Sequence, residues 1–454
     1  MEKWSGGYAL IKALVYYAFW LSHKRIAVIG KKNIPKNKPI IFAPNHQNAL
    51  MDPLAVLLTN HTQPVWLARA DIFKLRFTRP ILNYFKIVPI YRIRDGKENL
   101  QNNEETFAVA TRVLENRQVM ALFPEAAHTG RRQMISHKKA IPRIAFLAEE
   151  KNSFKLDLQI VPIGIYYSHY WDFNRNVIVN YGTPIHVGKY EKAFRENEHA
   201  ATLALRDEIY NSVLPLTLNI NSTEYYEEYE LARKLAGPRF VKDKHLNDDP
   251  FVNRFFSDKA LIEKLETFET QDTATFRNMI ADLQLFREME KQLGLSDISV
   301  KELTLSDFIL IPVKLAAALV TLPLFLPGFI FNGLQFLIAR RIIHKKVKDP
   351  VFRGTFNLVV GMVLFPATHL IFAILIGLFT QSFSIALFLF LIMSLLGKFS
   401  YQLFEFYKSI AGQVKLACVS VTRSRELSSF FMLKRELTDK IIDAAENNSI
   451  IFGS

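Results

Sequence analysis

The sequence predicts an α/β fold, a mixed sheet covered by helices, followed by a helical section and an apolar C-terminal region. Three observations support this prediction. Short apolar runs typical of buried strands alternate with helix-like stretches between residues 26 and 188. Residues 189–306 are charged and mostly helical in pattern. From Asp307 the composition turns abruptly apolar, with stretches long enough to enter a membrane.

Composition and charge limit the kinds of partner. The 454 residues are 50% hydrophobic and 22% charged, which is typical of an ordered chain of two or three domains. A net charge of +14 permits nucleic acid, an anionic membrane surface or an anionic substrate. The apolar C-terminal third favours the membrane, and no nucleic-acid module is recognisable, so no nucleic-acid partner is expected. The single cysteine, Cys418, allows no intramolecular disulfide, and no zinc-ligand spacing occurs.

The N-terminal segment, residues 1–25, contains a predicted apolar helix at residues 8–22. Its apolar run is shorter than the ~20 residues that a membrane span needs. Aromatic residues and the adjoining basic cluster His23-Lys24-Arg25 indicate a helix lying in the membrane interface. An ordinary buried helix fits this pattern as well.

The α/β domain, residues 26–188, contains seven predicted strands and two clear helices. Apolar runs bounded by turn residues predict the strands, and an apolar stripe of helical period predicts the first helix. The strands are Ile26–Gly30, Pro39–Ala43, Val65–Ala68, Ile87–Tyr91, Val119–Phe123, Gln159–Ile165 and Asn176–Tyr181, and the helices are Asn99–Asn116 and Pro142–Glu149.

The remainder of the chain divides into a soluble helical section, a membrane region and a tail. In residues 189–306 helices are predicted at Glu224–Leu235, Ala260–Phe268 and Ile280–Leu293, and the sequence assigns them no chemistry. Residues 307–398 are predicted to be embedded in the membrane. Residues 399–454 form a predicted cytoplasmic helical tail.

The membrane region is predicted to form two hairpins. The apolar stretch Phe308–Ile338 is interrupted at Pro323–Gly328, where we expect the first hairpin to bend, and Phe356–Leu396 forms the second. The basic loop Arg340–Lys348 between them is expected in the cytoplasm by the positive-inside rule. Both hairpins then begin and end on the cytoplasmic side of the cytoplasmic (inner) membrane, as does the α/β domain.

The candidate catalytic pair is His46 and Asp52, in the turn Asn45–Pro53 that follows a predicted strand and opens a helix. A neutral imidazole accepts a proton near pH 7, and a carboxylate bonded to its other nitrogen fixes the tautomer. An alternative is purely structural. Asp52 before Pro53 is a good helix N-cap, and His46 can be satisfied by backbone.

Two further stretches carry charged side chains directly after predicted strands. Arg92 and Arg94 alternate with apolar residues after one strand and share a face, where their planar donors suit phosphate. Glu125 leaves another strand, with Arg131 six residues on, and its carboxylate suits a substrate hydroxyl or a backbone turn. For the three arginines, a solvated surface position is the alternative.

Together with the buried strand Ile160–Gly164, these stretches resemble, in order and spacing, the four sequence blocks of the glycerolphosphate acyltransferase family, the PlsC-like enzymes. The resemblance covers about residues 25–190. It depends most on Asn45-His46 and Asp52 combined with Phe123-Pro124-Glu125 some eighty residues later.

Two departures from the family pattern stand out. Five residues separate His46 from Asp52 instead of four, as in the branch that contains fungal-type glycerol-3-phosphate acyltransferases. Ala126 replaces the glycine of the third block, so the turn after Glu125 is expected to differ if that glycine needs a positive φ.

The resemblance implies an enzyme that transfers a fatty acyl group from an acyl thioester to a hydroxyl of 1-acylglycerol-3-phosphate. His46 is the expected general base and Asp52 orients it. Arg92 binds the glycerol phosphate and Glu125 positions the acceptor. Asn45, Arg94 and Arg131 are further expected substrate-binding residues.

The same reasoning predicts no metal and no cofactor, with acyl-coenzyme A or acyl carrier protein as co-substrate. The expected partners are the glycerophospholipid acceptor, the acyl donor and membrane lipids. One alternative is the same chemistry on glycerol-3-phosphate itself. Another is an inactive membrane scaffold that keeps the acyltransferase fold.

Overall fold

The computed structural model describes residues 4–73, 78–91, 102–171, 173–240, 249–295 and 302–447. These fall into two compact units. The first comprises Met1–Leu218 together with Ile343–Val359, and the second comprises Asn219–Ile342 together with Val360–Ser454.

The first unit is built on an eight-stranded mixed sheet. Its strands are β1 (His23–Ile29), β2 (Ile40–Pro44), β3 (Val65–Arg69), β4 (Ile87–Ile90), β5 (Val119–Ala121), β6 (Gln159–Tyr167), β7 (Arg175–Tyr181) and β8 (Ile185–His186). All seven predicted strands are present. Five neighbouring pairs are parallel, β1 with β7, β6 with β2, β2 with β5, β5 with β3 and β3 with β4, whereas β6 pairs antiparallel with β7 and with β8.

Helices cover this sheet. Because β2 and β6 lie in its interior, every residue of both strands is buried, which explains why they are apolar without alternation. The helices described in this unit are α1 (Gly6–Ser22), α2 (Met51–Thr59), α3 (Thr78–Tyr84), α4 (Asn102–Glu115), α5 (Ala140–Lys151), α6 (Glu191–Glu196) and α7 (Glu198–Val213).

The unit extends beyond residue 188, where the sequence placed the end of the domain. Helices α6 and α7 pack into the same hydrophobic core as β2, α4 and α5. Their buried residues are Phe194, Ala201, Leu205, Ile209 and Val213.

The N-terminal helix α1 packs against β1, where the buried ring of Phe19 stacks on His23, and its other buried ring, Tyr8, contacts Phe85 and Lys86. It leaves Trp4, just before its start, and Leu10 and Leu14 mostly exposed, at 72%, 65% and 60%. The basic cluster that follows α1 forms the start of β1. An interfacial position for α1 stays a prediction.

The second unit is helical. Helices α8, α9 and α10 pack against the last helix, α15, which therefore belongs to this bundle. The helices beyond residue 218 are α8 (Tyr226–Phe240), α9 (Pro250–Gln271), α10 (Thr273–Gln292), α11 (Leu305–Gly328), α12 (Leu334–Lys346), α13 (Arg353–Thr380), α14 (Phe383–Thr422) and α15 (Ser424–Asn447).

Three helical runs among the described residues are long and apolar enough to cross a membrane, namely Leu305–Lys346, Pro350–Thr380 and Phe383–Thr422. A short break at residues 381–382, within the stretch of the predicted second hairpin, separates the last two. The third run continues far past residue 398, where the sequence placed the end of the membrane region.

The predicted first hairpin is wrong. Residues 305–346 form one continuous helical run, in which the chain passes through Pro323 and Pro327 without reversing and then widens into a π-helical turn at Phe329–Gly333. A proline removes one helical hydrogen bond, and local widening of a helix accommodates that loss. Helix α11 packs instead against α14.

Candidate active site

Polar residues collect at one edge of the sheet. Strands β2, β5, β3 and β4 run parallel, so their carboxyl ends lie along the same edge, the usual place for a ligand site in such sheets. Asn45 and His46 follow β2, Arg69 ends β3, Tyr91 follows β4, and Glu125 lies four residues after β5.

His46 and Asp52 form the predicted pair. The Nδ1 atom of His46 lies 2.9 Å from Oδ2 of Asp52. Asp52 is fully buried, whereas the His46 side chain keeps 17% of its surface exposed. Because the carboxylate accepts the Nδ1 proton, the Nε2 lone pair is the one available to take a proton from a substrate.

The loop between the pair is held by the same carboxylate. Oδ2 of Asp52 also accepts hydrogen bonds from the backbone N–H groups of Gln47 (2.7 Å) and Asn48 (2.6 Å). Within this loop, Ala49 adopts a positive φ of 40°. Helix α2 begins at Met51, so Asp52 lies in its first turn. The alternative interpretation, in which Asp52 is the N-cap residue of this helix, is therefore wrong.

Neighbouring polar side chains fasten this loop to the rest of the unit. The Asn45 carboxamide donates a hydrogen bond to the Ile165 carbonyl (3.3 Å) and accepts one from the Ile165 N–H (2.6 Å). The Tyr170 hydroxyl donates to Oε1 of Gln47 (2.6 Å), and the Asn48 amide donates to the Tyr170 carbonyl (3.0 Å). These bonds give Asn45 a structural task, and its predicted contact with substrate stays a prediction.

Glu125 lies directly behind His46. Its Oε1 accepts the His46 backbone N–H at 2.9 Å, and the side chain is fully buried. Burial raises the pKa of Glu125 from its usual 4.5 to about 8, against the opposing effect of backbone N–H donors from His46 and Ile135. Among the described residues, Oε2 has no hydrogen-bond partner.

The turn after Glu125 keeps the conformation that a glycine would favour. Ala126 has a φ of 56°, and its N–H donates to the Phe123 carbonyl at 3.2 Å. The substitution of alanine therefore leaves the turn in the left-handed region and adds the strain that a Cβ meets there. The expectation that this turn would differ is not supported by its φ.

Aromatic rings enclose the imidazole of His46. The Phe123 ring stacks on it at 3.9 Å with an interplanar angle of 18°, and Trp66 stacks on Phe123 in turn at 5.7 Å. On another side, the His128 ring contacts His46 edge-on at 5.2 Å and 78°. The orientation of His46 is therefore set both by Asp52 and by packing.

The predicted phosphate-binding arginines are only partly described. Arg92 and Arg94 lie outside the described residues. Arg131 has an exposed side chain. Its neighbour Arg132 is buried and donates to the carbonyls of Tyr167 (2.8 Å) and Ser168 (2.9 Å), which is a structural role.

Arg69 is a basic residue at the site that sequence reasoning missed. It is the last residue of β3 and binds Asp71, and its charge helps to lower the pKa of His128, after the larger effects of burial and His46. The signal that could have found it is its position, because it ends a strand parallel to β2 and β5.

The described residues contain no cluster of three or more histidine, cysteine, aspartate or glutamate side chains suited to a metal. The arrangement offers a base at Nε2 of His46, a carboxylate that orients it, a buried carboxyl beside it and a nearby guanidinium. Such a set can remove a proton from an alcohol and bind an anionic substrate.

Comparisons with known proteins find similarity to acyltransferases. Residues 25–166 match the protein family described as Acyltransferase. The chain is 24% identical over 293 residues to glycerol-3-phosphate O-acyltransferase 2 of Saccharomyces cerevisiae, covering 61% of this chain and 38% of that protein. It is 25% identical over 292 residues to an uncharacterised acyltransferase of Schizosaccharomyces pombe, covering 59% and 40%.

The chain thus spans about two fifths of the length of these curated relatives. Among solved structures, it matches the 1-acyl-sn-glycerophosphate acyltransferase PlsC of Thermotoga maritima at 19% identity and a TM-score of 0.33. That match covers 45% of this chain and 78% of that one.

Proposed function

We propose, from the match of residues 25–166 to the family described as Acyltransferase, that this protein acylates a hydroxyl of a glycerol phosphate in glycerolipid synthesis. The observation that carries the proposal is the His46–Asp52 pair, whose hydrogen bond leaves Nε2 to accept a proton. Such a base contributes typically 10²–10⁴ in rate when an alcohol is the nucleophile.

In the proposed reaction, Nε2 of His46 takes the proton as the acceptor oxygen attacks the thioester carbonyl carbon. Asp52 stabilises the imidazolium that forms. The tetrahedral intermediate then collapses with cleavage of the carbon–sulfur bond, and the imidazolium returns the proton to the departing thiolate. A thioester already has a good leaving group, so neither a covalent enzyme intermediate nor a cofactor enters this scheme.

Two groups are suited to hold the acceptor, Glu125 beside His46 and Arg69 at the end of β3. A protonated Glu125 can donate from its unpartnered Oε2 to an acceptor hydroxyl, and its raised pKa keeps much of the population protonated near pH 7. Arg69 is suited to the phosphate, with Arg92, Arg94 and Arg131 as the sequence proposes.

Glycerol-3-phosphate is the acceptor that we place first. The yeast relative carries that substrate in its name, and five residues separate His46 from Asp52, as in the fungal-type branch. The acceptor 1-acylglycerol-3-phosphate, which the sequence analysis placed first, is the second candidate. The donor is an acyl thioester of coenzyme A or of acyl carrier protein.

The membrane is the proposed location, since three helical runs are long and apolar enough to cross it and both substrates and products of this chemistry include lipids. We propose that the acyltransferase domain faces the cytoplasm, where acyl thioesters are made. Labelling or protease access to residues 102–295 only from the opposite side would contradict this orientation.

The test is an acyl-transfer assay on the purified full-length protein in detergent or nanodiscs, with each acceptor combined with each donor and products identified by mass. A glycerol phosphate ester formed from one acceptor supports the proposal and selects the substrate. Absence of transfer to both acceptors from both donors would favour the inactive scaffold with this fold.

A further inference from the structure

Residues 343–359, called the connector here, comprise the end of α12, the loop at residues 347–352 and the start of α13. They lie about 300 residues from His46 along the chain, yet they belong to the compact unit that contains the sheet. The connector joins two of the apolar helical runs, and only its residues up to Lys348 belong to the basic loop Arg340–Lys348 that the sequence predicted. The sequence did not predict its three contacts with residues around His46 and Asp52.

The first contact is with the turn that follows Glu125. Val351 is buried, and it lies against Gly130, whose φ is 67°. A Cβ added at Gly130 would lie 2.5 Å from Cγ2 of Val351 and 3.4 Å from the Trp171 ring. The turn that begins with the strained Ala126 thus ends at a glycine against which the connector packs closely.

The second contact reaches the catalytic pair through one intervening ring. Phe352 contacts His128 edge-on, with ring centroids 5.1 Å apart at 85°, and His128 contacts His46 edge-on at 5.2 Å and 78°. Burial and the neighbouring His46 lower the pKa of His128, so the ring is neutral at pH 7 and packs as an uncharged aromatic. Phe123 closes the other face of His46.

The third contact fixes the start of the helix that carries Asp52. Leu50 is the N-cap residue of α2 and its own side chain makes no capping bond. Its backbone N–H donates instead to Oγ1 of Thr355 in the connector, at 3.2 Å. The connector therefore contacts both the His128 ring that packs on His46 and the start of the helix that carries Asp52.

From these three contacts we propose that Phe352 is a positioning residue for the acyl-transfer reaction, which holds His46 in its reactive orientation by fixing the ring of His128. This proposal rests on the proposed function. Phe352 does not act on the reacting atoms. Its contribution is geometric, because a base misplaced by about 1 Å can cost ~10²-fold in rate.

The test compares Phe352→Ala, Phe352→Leu and Phe352→Tyr with wild type in the full-length protein, by steady-state kinetics against the acceptor that the wild type uses. In Phe352→Ala we expect kcat to fall at least tenfold while KM for acceptor and donor stays within about twofold. Phe352→Leu keeps apolar volume but loses the ring edge, and we expect a similar loss. Phe352→Tyr keeps the ring and should restore most of kcat.

The matched control is Phe356→Ala, one helical turn further along, where the side chain is 45% exposed. This variant should leave kcat within about twofold of wild type. If Phe352→Ala fails to fold, Phe352→Leu carries the test, and the thermal transition of each variant shows whether the fold is kept.

Wild-type kcat in folded Phe352→Leu, or a loss expressed only in KM, would overturn the positioning role. Either result would leave the proposed function intact, provided that wild type transfers acyl groups and His46→Ala does not. Absence of acyl transfer in wild type would instead remove the proposed function itself. The two failures are thus distinguishable.

Discussion

The buried carboxyl of Glu125 makes stability depend on pH in a direction opposite to that of a salt-bridged carboxylate. Its pKa is raised from 4.5 to about 8 in the folded protein. As pH rises from 4.5, the unfolded chain loses this proton while the folded protein keeps it, so the free energy of unfolding falls until pH passes 8. The difference between the two pKa values corresponds to a loss of roughly 5 kcal/mol in the free energy of unfolding, at about 1.4 kcal/mol per pKa unit.

Glu125→Gln removes this penalty because an amide does not ionise. The amide oxygen can still accept the His46 N–H, but the Nε2 group takes the place of the unpartnered Oε2, and a buried unsatisfied donor costs about 1–3 kcal/mol. At pH 9 we therefore expect the variant to be more stable than wild type by about 3 kcal/mol. In a unit of this size that raises Tm by ~10 °C.

Tryptophan fluorescence is the assay, because all four tryptophans, Trp4, Trp20, Trp66 and Trp171, lie in the first unit and report its unfolding. Wild type, Glu125→Gln and the exposed control Glu150→Gln are melted at pH 5 and pH 9 in the same detergent. Glu125→Gln should be more stable than wild type at pH 9, whereas at pH 5 it should be less stable by about 1 kcal/mol, because the cost of the unsatisfied amide donor remains and little ionisation penalty is left to remove. An equal difference at both pH values would refute the buried, protonated state of Glu125.

Three further predictions concern single residues. Ala126→Gly should stabilise the first unit by about 1 kcal/mol, since φ is positive at this residue, whereas the control Ala127→Gly should give no gain. The Tm values of the two variants are compared with that of wild type, and equal changes in both would contradict the strained turn. Arg69→Ala should raise KM for the acceptor ten- to a hundredfold, as expected for loss of about 1.5–3 kcal/mol from a charge-assisted bond, and an unchanged KM would remove it from the phosphate site. Tyr170→Phe leaves the buried Oε1 of Gln47 without its donor and should lower stability by about 1–3 kcal/mol; no change in Tm would show that this bond is dispensable.

The strands and the hydrogen-bonded pair His46 and Asp52 could be predicted because their causes are local. Runs such as Ile40–Pro44 are apolar without alternation because both faces of the central strand are covered, and this shows directly in the sequence. Likewise, His46 and Asp52 lie in one short loop, so their spacing alone restricts how far apart they can be.

Other features depend on contacts between residues far apart in the chain. The connector reaches His128 only because the fold brings residues 343–359 to the sheet, and its basic composition gave no sign of this. The prediction of a bend at Pro323–Gly328 was wrong for a related reason. Prolines weaken a helix locally, but packing of α11 against α14 and a π-helical turn keep it continuous.

Ala126 shows a third limit of sequence reasoning. Residue type suggested that the turn would change where alanine replaces glycine, yet the backbone keeps a φ of 56°. Contacts on either side, the Phe123 carbonyl before it and Val351 against Gly130 after it, hold the turn in place. A local preference of about 1–2 kcal/mol is readily overridden when the surroundings determine the conformation.

The most direct test of the central claim is a double-mutant cycle on the pair, with kcat/KM for acyl transfer measured in wild type, His46→Ala, Asp52→Asn and the double variant. If His46 is the base and Asp52 acts through it, His46→Ala should lose about 10²–10⁴ in rate, Asp52→Asn somewhat less, and the double variant no more than His46→Ala alone. Tryptophan fluorescence melts of the same samples confirm that the first unit is folded. Wild-type acyl transfer by folded His46→Ala would contradict the account.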